Sequence, residues 1–214
     1  MKVTEKILRK KFAYYNDKYF HLPDIDYLIP TDIESLGQYA QIDGENGILI
    51  NDMYDYRDDD INMLLLHEMC HYYLFHHKII WDGNVKEKDP HGEEFIELAT
   101  KIGDAEGYNI LSGNIKYLNY LPSKHTPFYL VILFPNNDDK HINVAVLDKK
   151  VVSWYKTYFK NYFSDFETTY KKYMIKKTYN SIFDSFDVET TKGKINLSQM
   201  EIEIFNQYVL PSLM

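Results

Sequence analysis

The sequence predicts an α+β fold, with a helix-rich N-terminal domain and a β-rich C-terminal extension. Three patterns indicate this class: a long apolar helix in the first half, a hairpin just before it, and short strand-like runs in the second half. The 214 residues are enough for one compact domain with a modest appendage. We place the two domains at residues 1–120 and 121–214.

The first elements follow from the spacing of apolar residues. Residues 4–20 carry an apolar side chain at each helical turn, which predicts an amphipathic helix; these side chains are Leu8, Phe12, Tyr15 and Tyr19. Residues 38–42 and 48–50 are strand-like and flank a turn that contains Asp43 and Gly44. This pattern predicts a small antiparallel sheet built on a hairpin.

Two core helices are predicted next. The aspartates at positions 58–60 favour a helix start, because negative charge interacts favourably with the helix dipole, and the apolar run after them predicts a helix over residues 61–79. Asp89 followed by Pro90 is typical of a helix N-terminus, and Gly103 is typical of a helix end. We therefore predict a second helix over residues 90–102.

The second half of the chain alternates strand-like runs with polar turns. Residues 129–134, 142–147 and 150–155 are rich in β-branched and aromatic residues, which predicts three strands. A helical pattern over residues 197–209 predicts that the chain ends in a helix.

Composition narrows the classes of function. The formal net charge of -8 argues against a protein that coats nucleic acid with its whole surface. Cys70 is the one cysteine, so an intramolecular disulfide and a cysteine-built zinc ribbon are both excluded. The N-terminal residues lack an apolar signal segment, and no run reaches the length of a membrane span. We expect a cytoplasmic protein that does not enter the membrane.

The segment that carries chemistry is His67-Glu68-Met69-Cys70-His71. Residues four apart lie on one face of a helix, so the two imidazoles can bind one metal ion. A carboxylate directly after the first histidine can take a proton from a water molecule that attacks a polarised carbonyl. An unligated His-Glu-His cluster inside an apolar helix would be costly to bury, which favours a metal site.

A catalytic zinc needs a third protein ligand and an open fourth position. His77 lies six residues after His71, but Leu74 stands where that ligand pattern needs a glycine, so the helix continues and carries His77 away. Glu93 or Glu94 would supply a carboxylate from the second helix. His76 points off the metal face, and His91 stands at the start of the second helix. Spacing alone leaves these alternatives open.

Several segments in order along residues 5–120 resemble the SprT-like family, which includes SprT and Spartan. They are the opening Leu8, Phe12, Asn16, Tyr19, Phe20, Leu22 and Pro23; the hairpin with Gly37 that ends in Ile48-Leu49-Ile50-Asn51; Leu65 to Tyr73; and His91-Gly92-Glu93-Glu94-Phe95. The resemblance implies a minigluzincin-like zinc metallopeptidase domain, with an N-terminal helix, a small sheet, the HExxH helix and a second ligand helix.

The same resemblance implies the roles at the site. His67, His71 and His91 would bind one Zn²⁺ per chain, and Glu68 would be the catalytic base of a zinc-dependent endopeptidase acting on a protein or peptide. Gly92 would let the start of the second helix pass close to the metal, and Phe95 would pack one turn below the ligand. Cys70, in contrast, is predicted to be a small core residue of a buried helix.

A nucleic-acid partner is the other hypothesis. Nine lysines against three acidic residues make residues 140–178 basic, and aromatic residues are interleaved with them. More often such a pattern is a solvated lysine face over an aromatic core, so nucleic acid is not favoured. The alternative function is a nucleic-acid-associated binding protein in which the metallopeptidase fold is a non-catalytic scaffold. The retained Glu68 favours the enzyme, because a structural site needs no base.

Overall fold

The computed structural model describes residues 1–77, 89–113, 115–162, 169–193 and 195–214. The chain divides into two compact units, residues 1–116 and 117–214. The elements are a mixture of helices and sheets, consistent with the α+β class. Over these described ranges, no helix combines the length and the apolar character needed to cross a bilayer.

The described part of the first unit contains three helices and a small sheet. Its helices are α1 (Glu5–Tyr15), α2 (Asp58–His76) and α3 (Glu93–Glu106), and its strands are β1 (Tyr27–Thr31), β2 (Gly37–Ile42), β3 (Glu45–Asn51) and β4 (Tyr54–Asp55). The backbone of Asn16–Phe20 continues α1 as a π-helical turn. The predicted N-terminal helix is therefore confirmed, with its last five residues wound more loosely.

The small sheet is mixed, so the prediction of an antiparallel sheet is wrong for one of its two strand pairs. The hairpin is confirmed: β2 runs antiparallel to β3, joined by Asp43 and Gly44, which both have positive φ. The strand β1, however, pairs with β3 and runs parallel to it. The strand order is β1-β3-β2, so β1 pairs with the central strand β3 and not with β2, which follows it along the chain. The chain reverses direction between β1 and β2 and again between β2 and β3, which makes β1 and β3 parallel. As a result, β2 is an edge strand.

Helix α2 passes through the core of the first unit. Leu64, Leu65, Leu66, Met69 and Cys70 are fully buried, and so the helix is apolar on most of its faces. The helix begins at Asp58, three residues before the predicted start, and His77 is its C-cap. Residues 78 and 79, the predicted end, lie outside the described residues.

The second predicted helix begins three residues later than the sequence pattern indicated. The backbone N–H of His91 donates to Asp89 Oδ1 at 2.9 Å, and that of Gly92 donates to the Asp89 carbonyl at 2.8 Å. These bonds close a tight turn, and Gly92 is the extended N-cap from which α3 starts. His91 therefore lies in the turn before α3. Gly103 does not end this helix either, because Gly107 is its left-handed C-cap.

The second unit is built on a five-stranded sheet. Its elements are β5 (Asn119–Tyr120), β6 (Phe128–Pro135), β7 (His141–Leu147), α4 (Val152–Tyr162), β8 (Tyr170–Thr178), β9 (Val188–Glu189), β10 (Ser198–Glu201) and α5 (Ile202–Ile204), with short helical turns at Ser181–Ser185, Phe205–Val209 and Leu210–Ser212. Strands order as β10-β7-β6-β8, and β9 adds to β7 in parallel.

The predicted strand over residues 150–155 is wrong, since α4 begins there. Val152, Tyr155 and Phe159 recur at helical spacing and are buried together against Val131 and Leu133 of β6. Packing of this stripe on the sheet overrides the β-propensity of the individual residues. The predicted helix over residues 197–209 also begins as a strand, β10, and becomes helical only at Ile202.

The buried hydrogen bonds of Asn180 allow a test of what stabilises the second unit. Its side chain is fully buried; Nδ2 donates to the carbonyls of Tyr117 at 3.1 Å and Tyr208 at 2.9 Å, and Oδ1 accepts from the Ile182 amide at 3.0 Å. Asn180→Ala should lower the free energy of unfolding by about 2–4 kcal/mol, because it leaves buried backbone groups unpaired. The exposed Asn161→Ala on α4 should cost less than about 0.5 kcal/mol. Urea unfolding of both variants checks the difference, and equal midpoints would contradict it.

Candidate metal centre

Three imidazoles converge in the first unit. His67 and His71 project from α2 one turn apart, and His91 reaches them from the turn before α3. The Nε2 atom of His67 lies 3.2 Å from that of His71 and 3.2 Å from that of His91. Within the described residues, this is the one cluster of three or more His, Cys, Asp or Glu side chains that could hold a metal ion.

The distances from His67 Nε2 to the other two nitrogens fit a small metal ion. Zinc–nitrogen bonds of about 2.0–2.1 Å in tetrahedral geometry place two ligand nitrogens about 3.3–3.4 Å apart, close to what is seen here. The protonation of His67 also fits: its Nδ1 lies 2.7 Å from the Ile110 carbonyl, which can only accept, so Nδ1 carries the proton. The lone pair of Nε2 then faces the other two rings.

The histidines on α2 are held in the neutral form that binds metals. Burial lowers the pKa of His67, against the opposing effect of its bond to the Ile110 carbonyl. Burial, reinforced by the neighbouring His67 and His91, lowers the pKa of His71 to about 3. Neutral imidazole is the ligand form, so no proton has to be displaced from these two rings at neutral pH.

Packing fixes the rings from two further sides. Phe95, one turn along from His91, contacts all three imidazoles, with ring centroids 4.9 Å from His67, 4.6 Å from His71 and 4.8 Å from His91. Gly113 lies against His67: a Cβ built on it would stand 2.9 Å from Nε2. Its φ of +57° also favours glycine. The imidazole of His67 is therefore confined by Ile110, Phe95 and Gly113.

Glu68 follows His67 on α2 and is equally buried, each with 5% of its surface exposed. Its Oε2 accepts a hydrogen bond of 2.7 Å from the backbone N–H of Tyr39 on β2. Burial raises the pKa of this carboxyl to about 7, and the bond from the Tyr39 amide opposes the rise. Glu68 is not a member of the three-histidine cluster.

The other candidates lie elsewhere. His77, at the end of α2, packs on Tyr73 with ring centroids 4.4 Å apart, and His76 beside it is exposed. Glu93 and Glu94 form the first turn of α3 and are not in the cluster. Cys70 is buried, and burial raises the pKa of its thiol, which disfavours the reactive thiolate.

A cleft of about 920 Å³ opens over the three histidines and Glu68. One wall is residues 37–41 of β2 with residues 33–35 before them, and Phe75 and Pro90 contribute apolar surface. Glu34 and Glu68 bring carboxylates to the lining, whereas no Lys or Arg lines it among the residues that the structure describes. An edge strand, a histidine cluster and a buried carboxylate thus share one cleft.

Sequence reasoning missed two residues of this centre. Ile110 contributes only its carbonyl, which no side-chain pattern reveals. Gly113, in a Ser-Gly-Asn sequence typical of a turn, could have been noted as a site of close approach, but nothing in the sequence assigns it to His67.

These features define a mixed α/β protein with a three-histidine candidate metal centre in a cleft. The chain belongs to the SprT-like family, whose model matches residues 8–114, half of its length. That family is generally associated with metallopeptidase activity. No curated protein and no solved structure matches the chain significantly.

The first prediction for this centre separates His91 from His77. His91→Ala should lower zinc affinity by about a hundredfold or more, since it removes one of three converging nitrogens. His77→Ala is the matched control and should leave affinity unchanged, because that ring packs on Tyr73. Metal analysis should find about one zinc per wild-type chain, and chelator competition should rank the variants. Two firmly bound zinc ions, or zinc loss in His77→Ala, would contradict this assignment.

The second prediction tests the contact of Gly113 with His67. Gly113→Ala should weaken zinc binding about tenfold or more, because the methyl group would displace the imidazole. Gly107→Ala is the matched control: its φ is +75°, so it carries a similar backbone strain, but a Cβ there meets nothing within 4 Å. Chelator competition and thermal unfolding should show similar destabilisation in both variants and loss of affinity only in Gly113→Ala.

Proposed function

We propose that the protein is a zinc-dependent endopeptidase in which His67, His71 and His91 bind one zinc ion and Glu68 is the general base. The observation that carries this proposal is the convergence of the three Nε2 atoms beside a buried carboxylate on the same helix. The order of α1, sheet, α2 and α3 supports a minigluzincin-like domain in the first unit.

Each component has a separate part in peptide hydrolysis. Zinc bound by the three histidines would supply a Lewis acid that polarises the scissile carbonyl and acidifies water. Glu68 takes a proton from the attacking water as the water oxygen bonds to the carbonyl carbon. The same carboxyl returns that proton to the leaving amine when the carbon–nitrogen bond breaks. Glu68 thus serves first as base and then as acid, and is regenerated.

The shape of the cleft supports a polypeptide as substrate. Residues 37–41 of an edge strand line it, which gives the cleft an extended wall suited to a polypeptide chain. Its volume of about 920 Å³ is at the upper end of the range for small-molecule sites. We therefore propose a protein or peptide as the substrate.

Nucleic acid stays the less favoured partner. In the described part of residues 140–178, which excludes 163–168, Lys171 pairs with Asp139 at 2.9 Å. Lys172 lies 5.6 Å from the centroid of the Phe134 ring. Both lysines thus have partners within the second unit, as expected for a solvated face. We propose recognition of protein alone, and we favour the enzyme over the scaffold alternative because Glu68 is present beside His67 on the same helix.

Glu68→Gln tests the proposal directly. The amide cannot accept the proton, so cleavage of fluorescein-labelled casein by the zinc-loaded protein should fall by a factor of about 10² to 10⁴. Zinc content should stay at the wild-type value, because Glu68 works on water and not on the metal. Chelation of the wild type gives the zero-activity control. A variant that loses zinc would make Glu68 a ligand, and one that keeps full activity would remove it from the mechanism.

A further inference from the structure

We propose that Gly37 is a positioning residue of the reaction: the lack of a side chain there lets β2 approach Glu68 closely enough for the Tyr39 amide to fix its carboxylate. This inference rests on the proposed function, in which Glu68 is the base. It assigns a part in the chemistry to a strand that contributes no catalytic side chain.

The approach of β2 to Glu68 is close at two neighbouring points. The Tyr39 N–H donates to Oε2 at 2.7 Å. Two residues earlier, a Cβ built on Gly37 would stand 2.7 Å from Oε1 and 3.2 Å from Cγ of the same side chain. The two carboxylate oxygens therefore have different neighbours. The Tyr39 amide donates a hydrogen bond to Oε2, and the missing side chain of Gly37 leaves room beside Oε1.

The edge position of β2 makes this contact available. Among the described strands, β2 pairs only with β3, so alternate backbone amides along β2 face away from the sheet. The Tyr39 amide is one of these, and it points at Glu68. The bond to Glu68 therefore replaces no hydrogen bond between β2 and β3, and the sheet can serve as a rigid support for the base.

The different surroundings of the two Glu68 carboxylate oxygens have a chemical consequence. Because Oε2 already accepts a hydrogen bond from an amide, we infer that Oε1 accepts the proton from the attacking water. The Cβ position at residue 37 lies at hydrogen-bond distance from Oε1, so a methyl group there would occupy space from which a donor reaches that oxygen. A misplacement of about 1 Å in a reacting group can lower turnover about a hundredfold.

In Gly37→Ala the added methyl group would clash with the end of the Glu68 side chain, which can move, and not with the backbone. The fold should therefore survive while the Glu68 carboxylate shifts away from Tyr39. The metal ligands contact neither Gly37 nor the Tyr39 amide in any hydrogen bond of the described chain, and so zinc affinity should be unchanged.

The experiment compares Gly37→Ala with Gly47→Ala in the full-length, zinc-loaded protein. Gly47 lies in the adjacent strand β3, where the nearest contact of an added Cβ is an ordinary 3.4 Å. Gly37→Ala should lower kcat on fluorescein-labelled casein by about 10- to 100-fold, with KM and zinc content within twofold of wild type. Gly47→Ala should match wild type in all three quantities.

A second readout does not depend on activity. In ¹⁵N-labelled protein, the Tyr39 amide should exchange slowly in wild type and Gly47→Ala, and about tenfold faster or more in Gly37→Ala, because the bond to the buried carboxylate is lost. If Gly37→Ala does not fold, Tyr39→Pro replaces it, because this change removes the outward N–H, which an edge strand tolerates. Tyr39→Ala loses the same side chain but keeps the amide, so kcat should be about 10- to 100-fold lower in Tyr39→Pro than in Tyr39→Ala, and equal kcat values would overturn the inference.

The outcomes are distinct. Wild-type kcat or unchanged Tyr39 exchange in Gly37→Ala would overturn the inference, as would zinc loss in that variant or an equal fall in kcat in Gly47→Ala. If the exchange pattern is as expected but zinc-loaded wild type does not cleave casein, the contact between β2 and Glu68 stands and the proposed peptidase function fails.

Discussion

His67 and Glu68 are polar side chains buried where α2 crosses an apolar core, and the first unit is arranged so that both are hydrogen-bonded. An unpaired buried polar group costs about 1–3 kcal/mol, and a charged one more. The Ile110 carbonyl meets His67 from one segment, and the Tyr39 amide meets Glu68 from another. Both partners are backbone groups from distant parts of the chain, so the fold must bring three segments together before both side chains are satisfied.

This constraint also explains why two glycines stand at the centre. A Cβ added at Gly113 would stand 2.9 Å from His67, and one added at Gly37 would stand 2.7 Å from Glu68, so the backbone can pass at these two points because it carries no side chain there. One glycine thus adjoins a proposed ligand and the other adjoins the proposed base. The metal and the proton-transfer group are consequently supported by separate segments, although they are consecutive residues on one helix.

The part of the site that is local in sequence could be predicted, and the rest could not. His67, Glu68 and His71 lie within one helical turn and a residue, where spacing alone determines which side chains share a face. His91 comes from a turn beyond α2, so spacing left it in competition with His77 and the glutamates, and the family resemblance was needed to choose it. Ile110 and Tyr39 act through groups that every residue possesses, so no sequence pattern distinguishes them.

The fold shows the same division between local and non-local information. The hairpin β2–β3 and helices α1 and α2 follow from turn chemistry and apolar spacing within a single element. The parallel pairing of β1 with β3 and the helical state of residues 152–155 depend on contacts with other elements, and there the sequence patterns misled. The order of the first sheet matters most for the chemistry, because it makes β2 an edge strand and thereby leaves the Tyr39 amide free to bind Glu68. A different strand order with the same hairpin would preserve every local signal and still remove that support from the base.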